Sequence, residues 1–287
     1  MAARITVLGS GSSGNATLVQ AAGRGLLIDF GFAQRDLGLR LQAAGLNWSN
    51  INAVLLTHTH GDHWNRYTLE QFRRLKIPLI AHALHHDALA ACEEYGPLKK
   101  AGLVHGYSAT PFTLGGFLRV QPVEVPHDSE PTFAFRIGQA LPDGTSWSYG
   151  HASDLGCVPE SLLDLFCGVD ALALEFNHDV QLERASPRPR HLVQRVLSDR
   201  GHLSNAQAAD ALRAWIDTGD IQAVVALHLS RDCNRPELAL CAATAAAPQA
   251  QIYASTQSQP TPTIAIIPRS DRRQANCNLE LTTGHVG

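Results

Sequence analysis

The sequence predicts a layered α/β protein in which two β-sheets pack together. Three observations carry this. Short apolar runs of strand character come in two batches with helix-like segments after each, which suits stacked layers and not a strictly alternating doubly wound sheet. The 287 residues are 45% hydrophobic and 17% charged, too apolar for a disordered chain. No internal repeat and no long linker divides the chain, so one domain is expected over residues 1–268, followed by a polar tail over 269–287.

The elements follow in order. Residues 4–9 and 16–20 read as strands around the turn SGSSGN, and 26–31 as a third strand ending in Asp-Phe-Gly. Leu37, Leu41 and Ala44 give residues 34–44 helical spacing, stopped by Gly45. Residues 51–58, INAVLLTH, form a short buried strand. Residues 67–76 are expected as a helix with Leu69, Phe72 and Leu75 inward, ended by Pro78; 78–82 is strand-like and 83–95 helical. Residues 103–150 are β-rich, and 170–176 is one more strand. Residues 184–200, with Pro187 and Pro189, read as a loop or short irregular helix. A clear helix over 204–217 precedes the strong strand 221–230; 236–246 is helical, and QIYAST and TIAII are short final strands. In the 204–217 helix Ser204 and Gln207 form an S-x-x-Q capping box, Ala208, Leu212, Trp215 and Ile216 turn inward, and Gly219 ends it.

Charge and cysteine usage narrow the class. A net charge of −3 argues against binding nucleic acid by bulk electrostatics, without excluding a local basic site. Six scattered cysteines with no CxxC pair fit a reduced, cytosolic protein. No membrane span is expected, and the start lacks the pattern of a signal peptide.

The strongest local signal is THTHGDHW, residues 57–64, directly after the apolar run AVLL. His58, His60, Asp62 and His63 are four potential ligands of a borderline first-row metal such as Zn, Mn or Fe. One ion takes roughly four ligands, so the cluster fits one filled site or two adjacent sites. His127, Asp154 and His228 each follow an apolar run, where strand ends present further ligands. No GxSxG elbow and no Walker loop competes, and the serine-rich turn 9–15 reads foremost as a tight connection near the site.

The order H-x-H-x-D-H, then a lone His, a lone Asp and a last His, resembles the metallo-β-lactamase superfamily. LGSGSSGNATLV, EFNHD (175–179), DRGHLSNAQAA (199–209) and LHLSRDCN (227–234) look like its YycJ/WalJ-type branch, related to RNase Z and phosphoribosyl cyclic phosphodiesterases, over about residues 4–267. The chain from about 240 departs from this in being rich in Ala, Gln, Pro and Thr. The resemblance implies a four-layer αββα sandwich with two divalent metal ions at the edge between the sheets. His58, His60 and His127 would hold one ion, Asp62, His63 and His228 the second, and Asp154 both. It implies a metal-dependent phosphodiesterase, an exonuclease on DNA or RNA, using a hydroxide activated by the two metals, with Asp62 also able to orient the nucleophile.

His202 stands two residues before a helix start, a place that attracts phosphate, and suits protonation of a leaving oxygen. Glu175 and His178 are expected to support it. Arg184, Arg188, Arg190, Arg195 and Arg200 form the one basic concentration, opposed in sequence by Asp199 alone. His82, His85, His86, His105, His151 and His191 are read as structural or surface residues. The alternatives are a small-molecule phosphodiesterase for cyclic or phosphoribosyl esters, favoured by the acidic charge; a thiolester or lactam hydrolase, which leaves His202 and the arginines unexplained; and a non-catalytic metal-binding interaction protein, against which the complete ligand set speaks.

Overall fold

The computed structural model describes residues 3–116, 118–128 and 131–270. Strands β1 (Ala3–Gly9), β2 (Ala16–Ala21) and β3 (Arg24–Ile28) form an antiparallel meander. Helix α1 (Gln34–Ala43) and a 3₁₀ turn (Trp48–Asn50) lead to β4 (Ala53–Leu55), and α2 (Arg66–Leu75) leads to β5 (Leu79–His82). Helices α3 (His85–Ala90) and α4 (Tyr95–Lys100) lead to β6 (Val104–Tyr107). A second meander follows: β7 (Phe112–Leu114), β8 (Leu118–Val125), β9 (Thr132–Ala140) and β10 (Ser146–Ala152). Then come α5 (Glu160–Phe166), β11 (Ala171–Glu175), α6 (Val180–Ala185), α7 (Arg190–Val196), α8 (Asn205–Ile216), β12 (Ala223–Leu227), α9 (Pro236–Ala246), β13 (Gln251–Ala254) and β14 (Ile264–Ile266).

These build two mixed seven-stranded sheets, ordered β14-β1-β2-β3-β4-β5-β6 and β13-β12-β11-β10-β9-β8-β7. Each is antiparallel in one half and parallel in the other, because short turns join neighbouring antiparallel strands while parallel neighbours need helical crossovers. Alternation along the strands sorts the core into layers. Ile5, Val7, Leu118, Val120, Phe135, Trp147 and Tyr149 pack between the sheets. Leu37, Leu41, Leu69 and Phe72 fill the space between the first sheet and its helices. Leu162, Phe166, Leu212 and Trp215 do the same on the second sheet. The layers are those of the αββα sandwich.

Several local expectations change. Helix α2 closes at Lys76, the residue where it was expected to end, but the stop is Lys76 itself, in the left-handed region at φ 57°, and not Pro78. Ile77 N–H donates to the Phe72 carbonyl and Lys76 N–H to that of Arg73, closing the helix by backbone bonds. Ile77 thereby takes the inward place, 4% exposed, and Leu75 is left 41% exposed instead of buried. The single helix expected over 83–95 is two short ones, since Pro97 is tolerated only in a first helical turn and so opens α4. Residues 184–200 contribute the end of α6 and all of α7. The capping box of α8 forms, but the helix ends on Asp217 before Gly219, and Ile216 is only partly buried. Arg269 is tied by backbone bonds to Ser146 and by ion pairs to Asp170 and Asp220; the rest of the expected tail from 271 lies outside the described residues.

The five described cysteines are all free; Cys277 lies outside them. Among the described residues no helix is long and apolar enough to cross a membrane.

Phe72, fully buried edge-on to Phe30 at 5.0 Å, joins α2 to the segment after β3, whose Phe30 N–H donates to the His63 carbonyl at 2.8 Å. Phe72→Ala is expected to lower stability by about 3–5 kcal/mol in urea unfolding. A loss under about 1 kcal/mol would show that α2 packs independently of the sheet.

Candidate metal centre

The candidate residues meet where strands of both sheets end. Strand β4 delivers Thr57 and His58 and the loop to His63. Strand β8 runs out two residues before His127, β10 two before Asp154, and β12 immediately before His228. Asp154 and His228 adopt left-handed backbone, φ 60° and 54°, as does Asp29 after β3 at φ 59°. Single residues there turn the chain off the strand sharply, a strain that surrounding structure must hold. Gly31 permits the closure of the loop: a Cβ there would stand 1.8 Å from the Asp62 carbonyl oxygen.

Ligand atoms of His58, His60 and His127 lie within 4.8 Å of one another, as do those of Asp62, His63 and His228, and of His58, His63 and Asp154. Asp154 is central. Its Oδ2 is 2.7 Å from His63 Nε2, and its Oδ1 is 3.4 Å from His228 Nε2 and 4.0 Å from His127 Nε2. Asp62 Oδ2 is 3.2 Å from His228 Nε2. The Nε2 atoms of His58 and His127 are buried with no hydrogen bond, although Asp128 Oδ1 lies 3.2 Å from His127 Nε2 and 3.4 Å from His60 Nε2. Buried polar atoms left unpaired are costly, and here both face the same cluster, so the donor set fits a cation. Nitrogen and carboxylate donors in this number are consistent with a binuclear site.

The other ring nitrogens are held from behind. His63 Nδ1 is 2.7 Å from Asp29 Oδ2, whose partner oxygen accepts from Thr57 N–H at 2.9 Å. The Thr57 hydroxyl lies 3.0 Å from His58 Nδ1. His127 Nδ1 is 3.0 Å from the Gly201 carbonyl, and His228 Nδ1 is 3.3 Å from Glu175 Oε1. Such contacts fix tautomer and ring orientation so that Nε2 faces the ligand cluster. Asp29 is the functional residue that sequence reasoning missed; its signal was an acid at the end of a buried strand beside the one that ends in His58. Asn15 was read mainly as a turn residue, yet its Nδ2 is 2.9 Å from His63 Nε2 and 3.4 Å from Asp62 Oδ2.

The electrostatics match. Burial would disfavour charge on His228, but Asp154, Asp62 and Glu175 outweigh it and push its pKa up to about 10. His63 is raised well above the ordinary value because Asp154 and Asp29 overcome its burial. Asp154 is held well below the usual carboxylate range: burial opposes its charge, and His228 and His63 more than compensate. The pocket is thus strongly negative, able to hold either protons or metal cations. His58, buried beside other imidazoles, is pushed well below 6.5, the neutral form that coordination requires.

Glu175 and His202 are brought to the same place. His202 Nδ1 is 2.7 Å from Glu175 Oε1 and 3.5 Å from Asp154 Oδ1, and its ring stacks on His228 at 5.2 Å. Burial opposes the charged form of His202, but Glu175 outweighs it and raises the pKa. Glu175 Oε2 accepts from Leu155 and Leu203 N–H, at 3.0 and 3.1 Å. His178 is buried beneath the start of α8, its carbonyl accepting from Asn205 N–H at 2.8 Å. Neither nitrogen of its ring has a hydrogen-bond partner, so His178 is tied by backbone to the start of α8, and no hydrogen bond runs from its imidazole to His202.

The arginine concentration is less free than its sequence suggested. Arg188 pairs with Glu183 at 3.2 Å and Asp232 at 3.0 Å, and Arg195 with Asp128 at 2.8 Å. Arg200 donates to the His127 carbonyl at 3.1 Å, while Arg184 and Arg190 are exposed. Asp199 is therefore not the only opposing acid; folding brings three others in. Of the remaining histidines, His85 and His151 are buried, which lowers each to about 4, and His191 is exposed.

Fold and site define the class. The family model described as the beta-lactamase superfamily domain matches residues 24–229, and the chain belongs to that superfamily. Within it, the chain is 29% identical to the exodeoxyribonuclease YycJ of Bacillus anthracis over 241 residues, covering 83% of this chain and 87% of the relative. It is 42% identical over 240 residues to the ribonuclease Z of Mycobacterium tuberculosis strain H37Ra, covering 75% of this chain and 82% of the relative. Among solved structures, the metallo-beta-lactamase fold protein YhfI from Bacillus subtilis superposes with a TM-score of 0.64 at 17% identity, over 91% of this chain and 99% of that one.

Asp29 touches no ligand position itself, so its role is separable. Asp29→Ala is expected to weaken metal binding roughly 10–100-fold in competition with a chelator, with the far-ultraviolet circular dichroism retained. Unchanged affinity would show that Thr57 and packing alone orient His63.

Proposed function

We propose that this chain is a metal-dependent phosphodiesterase that degrades nucleic acid from an end. The carrying observation is His202: a proton-bearing imidazole, anchored by buried Glu175 at 2.7 Å, set against the ligand cluster but outside the ligand set. A lactam or thiolester hydrolase has no evident use for it. The exodeoxyribonuclease activity named for the Bacillus anthracis relative and the ribonuclease activity named for the mycobacterial one support the substrate class.

In this reading His58, His60 and His127 would hold one metal ion, Asp62, His63 and His228 the other, with Asp154 available to both. Two divalent ions there supply Lewis acidity and make hydroxide available near neutral pH. The protein's own groups do the rest. Asp62, about one-fifth exposed at 21%, faces the solvent side of the cluster, where it orients the attacking water. His202 keeps Nδ1 on Glu175, which leaves its Nε2 proton for the leaving oxygen. Glu175 raises the pKa of His202 and so favours the protonated form.

One observation favours a shorter substrate. With Arg188 and Arg195 paired to carboxylates, little free positive surface remains in that region for a long duplex. A diphosphatase of the PhnP family is similar in fold, with a TM-score of 0.63 at 19% identity over 93% of this chain and 98% of that one, and its named activity is in keeping with a small phosphate substrate. Purification, metal analysis and a screen of labelled single-stranded, duplex and cyclic substrates decide between them. Absence of chelator-sensitive hydrolysis on every phosphodiester would sink both.

Two substitutions test the roles. Asp154→Ala is expected to abolish hydrolysis and reduce the content of both ions; full activity at normal occupancy would refute its shared position. His202→Ala is expected to leave metal content and Tm nearly unchanged while turnover of an unactivated phosphodiester falls roughly 10²–10⁴-fold. The loss on bis-p-nitrophenyl phosphate, whose leaving group needs little acid help, should be smaller. Loss of metal on this substitution would make His202 a ligand instead.

A further inference from the structure

The serine-rich turn between β1 and β2 is more than a connection. Gly14 N–H donates to the Gly11 carbonyl at 2.9 Å, so Ser12 and Ser13 are the central residues of a β-turn. Both are exposed, and neither backbone N–H has an acceptor among the described residues. The turn is pinned to the metal-ligand cluster at both ends. Ser10 Oγ accepts from His228 N–H at 2.9 Å, and Asn15 reaches His63 Nε2 and Asp62. Three residues after His228, Arg231 extends back over the turn, its Nη2 donating to Ser13 Oγ at 2.9 Å. Among the described residues no carboxylate pairs with Arg231, in contrast to Arg188 and Arg195. At the base of the turn the Gln257 side-chain amide is buried against Gly11, with neither its nitrogen nor its oxygen hydrogen-bonded.

We infer that Ser12, Ser13 and Arg231 form a subsite for the terminal phosphomonoester of the strand whose neighbouring phosphodiester is cut. This rests on the proposed phosphodiesterase reading and adds to it how the end of a strand is selected. The donor count argues for a monoester. Two unused amides, the serine hydroxyls and a guanidinium lie on and over one turn, and among the described residues no carboxylate is bonded to any of them. A monoester near neutral pH carries about −1.5 to −2 charges and three acceptor oxygens. An internal diester has a single charge and two non-bridging oxygens, and leaves part of this donor set unused. A planar guanidinium meeting phosphate oxygens forms the stronger, charge-assisted kind of hydrogen bond. A terminal phosphate held on a turn whose flanking Ser10 and Asn15 touch His228, His63 and Asp62 places the first internal linkage toward the cluster, which makes cleavage proceed from an end.

The test uses the full chain and three short single-stranded oligonucleotides of one sequence: 5′-phosphorylated, 3′-phosphorylated, and hydroxyl at both ends. Binding is read by fluorescence anisotropy after chelation of metal, and kcat/KM with metal restored. One phosphorylated end should be preferred over hydroxyl ends by roughly 10-fold or more in binding, the factor a single charge-assisted contact supplies. Which end wins gives the polarity. Arg231→Ala should reduce that preference to near unity, Arg231→Lys should retain part of it, and Ser12→Ala with Ser13→Ala should weaken it. Equal binding of all three oligonucleotides by the wild-type protein overturns the inference, as does a preference that survives Arg231→Ala. If the protein cleaves no phosphodiester, the functional reading fails, and the anisotropy arm still decides whether the subsite exists.

Discussion

Two carboxylates buried side by side govern this structure. Asp154 and Glu175, 2% and 0% exposed, stand at the ends of the adjacent parallel strands β10 and β11. Removing one carboxylate from water costs several kcal/mol even after relaxation, and two near each other repel. The fold answers by surrounding them with imidazoles: His63 and His228 against Asp154, His202 and His228 against Glu175. None of those histidines lies near either acid in sequence. They arrive from β4, β12 and the segment before α8, so the negative pocket exists only when both sheets and their crossovers are in register. Without metal the acids hold protons on these rings, and the same potential draws divalent cations.

The sheets serve this pocket through their ends. Apolar strands can be buried on both faces, but a polar residue can leave the core only where pairing stops. Asp29, Asp154 and His228 do so in left-handed backbone, uncommon for residues with a side chain. Each is tied down: Asp29 by Thr57 and His63, Asp154 by Ser153 and His63, His228 by Ser10 and Asn177. Strain at the ligands is thus supported by bonds from the next strand or turn, which is what keeps a site rigid before any ion binds.

Much of this was legible in the sequence, because metal ligation imposes residue type and order. His58, His60, Asp62 and His63 are consecutive enough to read as one unit, and His127, Asp154 and His228 stood out as polar residues closing apolar runs. The α8 start was legible for a similar reason: Ser204 and Gln207 satisfy each other locally, with no need of the rest of the chain. What the sequence hid is non-local. Asp29 contacts Thr57 and His63 across a strand pairing that no motif encodes. The arginines between 184 and 200 looked unopposed because Asp128 and Asp232 are far away in sequence. The end of α2 was placed to within a residue, but its cause was not visible: an αL lysine, and not the proline, closes it, and glycine, the usual signal, is missing here.

The two buried acids also explain why one site can hold metal and keep a separate proton donor. Glu175 has Oε2 committed to two backbone N–H groups and Oε1 to His202, so its lone pairs are spoken for. Asp154 accepts only from the Ser153 hydroxyl and from imidazoles that are themselves candidate ligands, apart from the longer His202 approach at 3.5 Å. Although ligand atoms of Asp154, Glu175, His202 and His228 fall within 4.8 Å of one another, the hydrogen bonds therefore divide them. Asp154 is open toward the cluster and suits coordination. Glu175 is closed by backbone and suits orientation of a neighbour. His202, tied to the closed acid, is held apart from the ligand cluster, as the proposed proton donor must be. Had Glu175 lacked its two amide bonds, the same four residues would offer a further ligand set, and His202 would be drawn into it.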